Sequence, residues 1–285
     1  MRYAAIAELA PTYPIVALCR ALQVSESGYS AWKRRSPSQR QQQDITLGEQ
    51  IDHVYQVSRQ TYGSPRIHAE VQAAGHQCGR KRVMRLMRAR GLTAQRQRHR
   101  CRTTDSFHAN PVAPNSLARD FTARRPNEKW VADITGVWTQ TGWLYVALVL
   151  DVYSRLIVGW AMDATRDDEL VLKAMRMALA YRRPDAALLH HSDRGSQYTS
   201  GQYQALLASW DIEVSMSRKG DCYDNAMMES FNATLKGECC DRQVWTSQTH
   251  ARQAIFEFIE IWYNRQRRHS ALGYISPVAF EQLRG

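Results

Sequence analysis

The sequence predicts an α/β protein: a mixed sheet with helices on its faces, preceded by a small all-helical domain. Three observations predict it. The first third of the 285-residue chain carries helix signals and few strand signals. Three β-rich runs then follow one another directly between Trp130 and Met162. After them, helical and strand-like segments alternate as far as Met216. The expected organisation is a helical segment at 1–40, a helix-turn-helix domain at 41–104, a linker at 105–125, and the α/β domain with a helical extension at 126–283.

Composition narrows the partners. The formal charge of +11 favours a polyanion, nucleic acid ahead of an anionic membrane surface. No run of about 18 apolar residues is present, so no bilayer-spanning helix is expected. Glu8, Pro11 and Pro14 break the apolar N-terminus, and no signal peptide is read there. The six cysteines form no C-x-x-C pair and are expected as free thiols in a reducing cytoplasm.

In chain order, Ile15 to Arg35 shows two short helical patterns broken around Gln23–Gly28. Ser64 reads as an N-cap before Pro65, and Gly75 stops that helix. Gly79 opens a second helix and Gly91 stops it, with Val83, Leu86 and Met87 as its apolar stripe. Between Val71 and Arg102 there is no acidic residue, while Arg80, Lys81, Arg82, Arg85, Arg88, Arg90, Arg96, Arg98, Arg100 and Arg102 all fall there. A helix, a short turn and an arginine-rich helix is the layout of a DNA-reading helix-turn-helix, with the second helix in the major groove. A plain solvated basic face is the alternative. Prolines 111, 114 and 126 mark the linker.

The α/β part opens with strands at Trp130–Trp138, Trp143–Val152 and Arg155–Met162. Gln140-Thr141-Gly142 supplies the first turn and Tyr153-Ser154 the second. A helix over Asp168–Tyr181 puts Leu170, Val171, Ala174, Met175, Ala178 and Leu179 inward. A strand at 186–190, a helix at 201–209 and a strand at 212–216 follow. Three antiparallel strands and then alternating α and β is the ribonuclease-H-like layout. The tryptophans read as core and strand anchors.

Three carboxylates stand out. Asp133 lies among apolar neighbours in the first strand. Asp193 lies just past the fourth. Glu229 lies on a helix for which Asp224 is the expected N-cap; Met228, Phe231 and Leu235 form its buried stripe, and Asn225, Glu229, Asn232 and Lys236 share its polar face. Acids on a basic, DNA-directed protein would repel phosphate unless a cation sits between them. Two Mg²⁺ ions need oxygen donors and leave positions open for water and phosphate, which suits three carboxylates without thiolate.

The residues Trp130-Val131-Ala132-Asp133-Ile134-Thr135, His191-Ser192-Asp193-Arg194-Gly195-Ser196-Gln197-Tyr198, Asp221 to Phe231, and Lys236-Gly237-Glu238 resemble the DDE transposases of bacterial insertion sequences. This is the branch related to retroviral integrases, and most closely the OrfB-type product of insertion sequence family three. The 35 residues between Asp193 and Glu229 are the spacing of that family. The tail, Trp262-Tyr263-Asn264-Arg265 and Arg268-His269-Ser270-Ala271-Leu272-Gly273-Tyr274, resembles its C-terminal signature. Tyr62-Gly63, Arg66-Ile67, Lys81-Arg82-Val83, Met87-Arg88 and Gly91-Leu92 resemble its helix-turn-helix. The resemblance covers nearly the whole chain from about residue 12.

The resemblance implies that Asp133, Asp193 and Glu229 hold two Mg²⁺, with Mn²⁺ as a substitute, and that Lys236 contacts DNA backbone. It implies cleavage of transposon ends and their transfer to double-stranded target DNA, by a homo-oligomer assembled on DNA in the bacterial cytoplasm at the nucleoid. It also implies an upstream-frame product as fusion or partner. The chain starts at its own Met1 without leucine heptads, so weaker end-specificity than the fusion's is expected. A catalytically inactive DNA-binding regulator and a ribonuclease-H-type nuclease are the alternatives. Asp151 is expected to be structural, paired with backbone or Arg155. His190 and His191 are not expected as metal ligands. His68, His76, Cys78, His99 and Cys101 lack the zinc spacing of retroviral integrases.

Overall fold

A computed structural model describes residues 2–94, 111–184, 187–218 and 221–284. The basic residues Arg96, Arg98, Arg100 and Arg102, with His99, Cys101 and Ala186, lie outside the described residues. The chain forms two compact units, Met1–His53 and Val54–Gly285. No described helix is long and apolar enough to cross a membrane.

The first unit contains α1 (Arg2–Leu9), α2 (Ile15–Ala21) and α3 (Glu26–Arg34), packed around Ile6, Cys19 and Tyr29. Ser25 caps α3: its Oγ accepts from the Gly28 N–H at 3.0 Å. Helix α4 (Gln39–Val57) crosses the division between the units.

The second unit begins with the end of α4, then α5 (Ser64–Ala73) and α6 (Arg80–Ala89). Gly63, not the expected Ser64, is the N-cap of α5; Ser64 is already helical and Pro65 sits in the first turn. Gly75 and Gly91 end the two helices at φ 89° and 66°, values that favour glycine. Ile67 and Val71 of α5 and Val83, Leu86 and Met87 of α6 are buried. His68 is engaged locally, its Nε2 lying 2.8 Å from the Cys78 carbonyl oxygen.

The sheet has five strands: β1 (Lys129–Thr139), β2 (Gly142–Asp151), β3 (Ile157–Asp163), β4 (Leu189–Ser192) and β5 (Glu213–Met216). Their spatial order is β3-β2-β1-β4-β5, antiparallel among the first three and parallel from β1 to β4 to β5. Helices α7 (Asp168–Arg182) and α8 (Gly201–Ala208) alternate with the later strands, and α9 (Ala226–Glu238), α10 (Gln248–Phe256) and α11 (Pro277–Arg284) follow. This is the ribonuclease-H-like fold that the element order predicts.

Alternation along β1 sorts the two faces. Trp130 and Ala132 join Ala147, Val149, Val158 and the apolar side of α7 in one core. Asp133 points to the other face, where α9 lies. Gly159 lets α7 come close, since a Cβ there would collide with the Ala174 carbonyl. The C-terminal extension is tied to the outer strand β3 by one amide. Asn264 accepts from the Ile157 N–H and donates to the Ile157 carbonyl, both at 3.0 Å, and so stands in for a missing strand.

Several expectations need correction. The fourth strand is Leu189–Ser192, not 186–190, because Ala187 takes a left-handed φ of 79° and ends the approach. The two histidines are therefore inside the strand. Asp224 does not cap α9; Asn225 stands at that position, and a short 3₁₀ turn at Cys222–Asn225 precedes it, with Asp221 accepting from the Tyr223 N–H. Residues 111–125 are not a free linker: Leu117 is buried, its N–H donates to Ser215 Oγ, and the Met216 N–H donates to the Pro114 carbonyl beside β5. Residues 105–110 of that segment lie outside the described residues. Asp151 is structural and paired with backbone as expected, accepting from the Asn127 and Tyr153 N–H groups, but its cation is Arg182 at 3.0 Å, not Arg155. Trp130, Trp245 and Trp262 are core residues, whereas Trp138 and Trp143 stand exposed on the β1–β2 hairpin.

Candidate active site

Three elements bring the acids together. Asp133 comes from the middle of β1, opposite Leu148 of β2. Asp193 follows the last residue of β4, which pairs parallel to β1. Glu229 lies in the first turn of α9. The parallel register of β1 and β4, with Val131 opposite His191, puts mid-strand Asp133 level with Asp193 just past the end of β4. Helix α9 is pinned over that end: Asn225 Nδ2 donates to the Ala132 carbonyl at 2.9 Å.

Asp133 is the centre of the group. Its Oδ1 accepts from the Ile134 N–H and its Oδ2 from Asn232 Nδ2, both at 2.8 Å. Its carboxyl is pushed well above the ordinary carboxylate range, first by burial, then by the charges of Asp193 and Glu229. The two hydrogen bonds oppose this and do not overcome it. Asp193 is oriented locally, with Oδ1 accepting from the Gly195 N–H at 2.9 Å.

This donor set suits a hard divalent cation. It is all oxygen, and its crowded negative charge is what such an ion relieves. Among the described residues no three acidic, histidine or cysteine side chains are already closed around one point. Glu229 is exposed.

The neighbouring histidines are committed elsewhere. His190 Nε2 lies 2.9 Å from Tyr203 Oη. His191 lies between Ser215 and Ser217, at 2.8 and 3.0 Å. Burial holds both neutral, pulling His190 down to about 3 and His191 down to about 4. They lie in a buried strand, and these hydrogen bonds are what let two polar rings sit there.

Asp224 has a separate task. It is buried beneath Arg119 and Arg218, which reach it at 2.8 and 2.9 Å, and Asn115 donates to it at 2.9 Å. The Arg218 side chain and backbone, with Arg119, hold its carboxyl well below the usual range. This clamp ties the 111–119 segment to the start of α9.

Lys236 is half-buried, two turns beyond Glu229 on the same stripe. In α6, Arg80, Lys81, Arg85 and Arg88 are exposed, while Arg82 is half-buried. The helical spacing put Asn225 and Asn232 on the Glu229 face, but nothing in the sequence named the backbone and carboxylate they bind.

Residues 123–222 and 210–277 match the integrase core domain, and residues 41–100 match an HTH-like domain. The chain is 40% identical over 283 residues to transposase InsF for insertion sequence IS3A of Escherichia coli (strain K12), covering 99% of this chain and 98% of that protein. The chain belongs to the IS3 transposase family. The insertion element IS600 uncharacterized 31 kDa protein of Shigella sonnei is 46% identical over 265 residues, covering 93% of this chain and 97% of its own length. Among solved structures, a chain of the simian T-cell lymphotropic virus intasome in complex with PP2A regulatory subunit B56 gamma has a TM-score of 0.46 at 16% identity, over 77% of this chain and 74% of that one. The HTLV-2 integrase catalytic core domain in complex with magnesium has a TM-score of 0.42 at 14% identity, over 55% of this chain and 97% of that one. The enzyme is thus a DDE-type transposase, a polynucleotidyl transferase with DNA-binding modules.

Proposed function

We propose that Asp133, Asp193 and Glu229 are the catalytic acids of DNA strand cleavage and strand transfer, and that together they hold two Mg²⁺ ions. The observation that carries this is the half-buried Asp133 carboxyl on β1, both of its oxygens held by hydrogen bonds and its pKa raised by desolvation and then by the charges of Asp193 and Glu229. Bound there, the ions would activate the attacking oxygen, first of water and then of a DNA 3′-OH, and stabilise the departing one. Mn²⁺, also a hard oxygen-seeking ion, would substitute.

The protein's own part is positioning. Ile134 and Asn232 fix both oxygens of Asp133. The Gly195 N–H turns Asp193 back toward its strand end. Asn225 holds the first turn of α9, and hence Glu229, against β1. These positioning hydrogen bonds are made before substrate arrives, so their contribution is preorganised.

DNA would lie across α6 and the Lys236 stripe. The exposed Arg80, Lys81, Arg85 and Arg88 suit phosphate and base contacts, and Arg82 contributes less because it is half-buried. We assign the working form to a homo-oligomer on transposon ends at the nucleoid, with the upstream-frame product as fusion or partner.

The test is joining of labelled DNA ends into a plasmid with Mg²⁺, comparing the chain with Glu229→Gln. Joining by the first and none by the second, with equal DNA binding, is expected. Equal joining by both removes Glu229 from the mechanism. A regulator would bind DNA and join nothing in either form.

A further inference from the structure

The second part of the C-terminal signature, Arg268 to Tyr274, has no part in the chemistry above, yet it is tightly built. The His269 N–H donates to the Ile275 carbonyl at 3.0 Å and the Tyr274 N–H to the His269 carbonyl at 2.8 Å. Gly273 closes the loop at φ 74°. The Arg268 N–H donates to Tyr62 Oη at 2.7 Å, which fixes the loop to the start of the helix-turn-helix. So rigid a loop, with polar residues at its tip, has a surface to present.

What it presents is one wall of a pocket of about 110 Å³. The opposite wall is α9. Met227, Ser230, Phe231 and Thr234 line it, and at about 3.6 residues per turn they fall on the side of α9 away from Asn225, Glu229, Asn232 and Lys236. The pocket is therefore separate from the catalytic acids while sharing their helix.

Its charge is one-sided. Arg66, Arg155 and Arg267 all line it, and no acidic residue among the described residues does. Arg267 is held by Glu238 through two hydrogen bonds of 2.7 and 2.8 Å. Arg155 enters no ion pair among the described residues. Its backbone sits at φ 62°, a region that non-glycine residues rarely adopt, and its N–H is anchored to the Asp151 carbonyl at 2.8 Å. His269 also lines the pocket; it is 6% exposed and its Nε2 has no hydrogen-bond partner among the described residues. Burial, then Arg267, Arg66 and Arg155, keep that imidazole from taking a proton. Like charges gathered around a buried, unpartnered polar atom are at a disadvantage until an anion joins them.

We propose that this pocket is a second, non-catalytic anion site that takes one phosphate group, and that its occupant in the working complex is a backbone phosphodiester of the bound DNA. The oxygens would meet Arg155, Arg66 and the Ser230 hydroxyl, with His269 Nε2–H as donor in the appropriate tautomer. The assignment of the occupant rests on the DNA-transferase reading; the anion site itself does not.

Two measurements on the full chain test it, and neither needs strand joining. The first is thermal unfolding with potassium phosphate against potassium chloride at matched ionic strength. A saturating rise in Tm with phosphate is expected, absent in Arg155→Gln and retained in Arg155→Lys. An equal rise in Arg155→Gln overturns the pocket. The second is DNA affinity across salt. Arg155→Gln should lower the slope of log K against log salt by about 1, the value for one lost phosphate contact. An unchanged slope with the phosphate effect lost overturns DNA as the occupant and assigns the site to free phosphate or a small phosphate ester. Should Arg155→Gln fail to fold, Ser230→Ala takes its place in both measurements.

Discussion

Asn232 of α9 donates a 2.8 Å hydrogen bond to Oδ2 of Asp133 on β1, joining the helix that carries Glu229 to the strand at the centre of the acid group. Without it, Asp133 keeps only the Ile134 N–H. Asn232→Ala is expected to reduce strand joining by about 10- to 100-fold, the usual range for a group that orients a metal ligand. DNA affinity should hold. Equal loss of DNA binding and joining would make Asn232 a DNA contact instead.

Asp133 makes a prediction about the metal-free protein. Its folded pKa lies above the unfolded value of about 3.9. Between the two values the folded state binds more protons, so stability falls as pH rises through that window and stays low above it. In chelator, Asp133→Asn should therefore unfold at a higher temperature than the parent at pH 7, with the gap narrowing as pH falls from 7 and closed below about 4. A variant less stable than the parent at pH 7 would contradict the crowding.

Asp224 has the opposite sign. Its folded pKa is depressed by Arg218 and Arg119, so its contribution is fully present above the unfolded pKa of about 3.9 and is lost as pH falls through the folded value. Asp224→Asn should loosen the 111–119 segment at neutral pH, read as faster amide exchange there. Acidification should cause the same loosening in the parent. Unaltered exchange in the variant would show that Leu117 alone holds the segment.

The Asp151–Arg182 pair tests the fold rather than the site. Asp151 is buried and also accepts from the Asn127 and Tyr153 N–H groups at 2.8 and 2.9 Å; Arg182 bridges it to Glu281 of α11. Arg182→Met leaves a buried carboxylate without its cation and should lower stability by about 3–5 kcal/mol in denaturant unfolding. A loss below about 1 kcal/mol, the scale of an exposed pair, would place the pair at the surface energetically.

The residues that were legible in the sequence are those whose reason is local. β1, β2 and β3 announce themselves as long β-rich runs, and Gly75, Gly91 and Gly142 mark real stops and turns at positive φ. An acid among apolar neighbours drew attention to Asp133, whereas the link between Asp193 and Glu229 came from the resemblance to the transposase family. What was illegible is set by partners far along the chain. His190 and His191 look like the end of a strand until Tyr203 meets His190 Nε2, and Ser215 and Ser217 meet both nitrogens of His191, inside it. Asp224 looks like a cap until Arg119, 105 residues away, claims it. Asp151 has Arg155 nearby in sequence and Arg182 in space. Asn232 sat on the right face, with no sign that a β-strand carboxylate was its partner.

If Asp133, Asp193 and Glu229 form one cation-binding group, Mn²⁺ bound to the full chain, counted by electron paramagnetic resonance, should amount to two ions per chain when a DNA end is bound. Asp133→Asn should lose at least one of them. Undiminished Mn²⁺ binding by Asp133→Asn would contradict it.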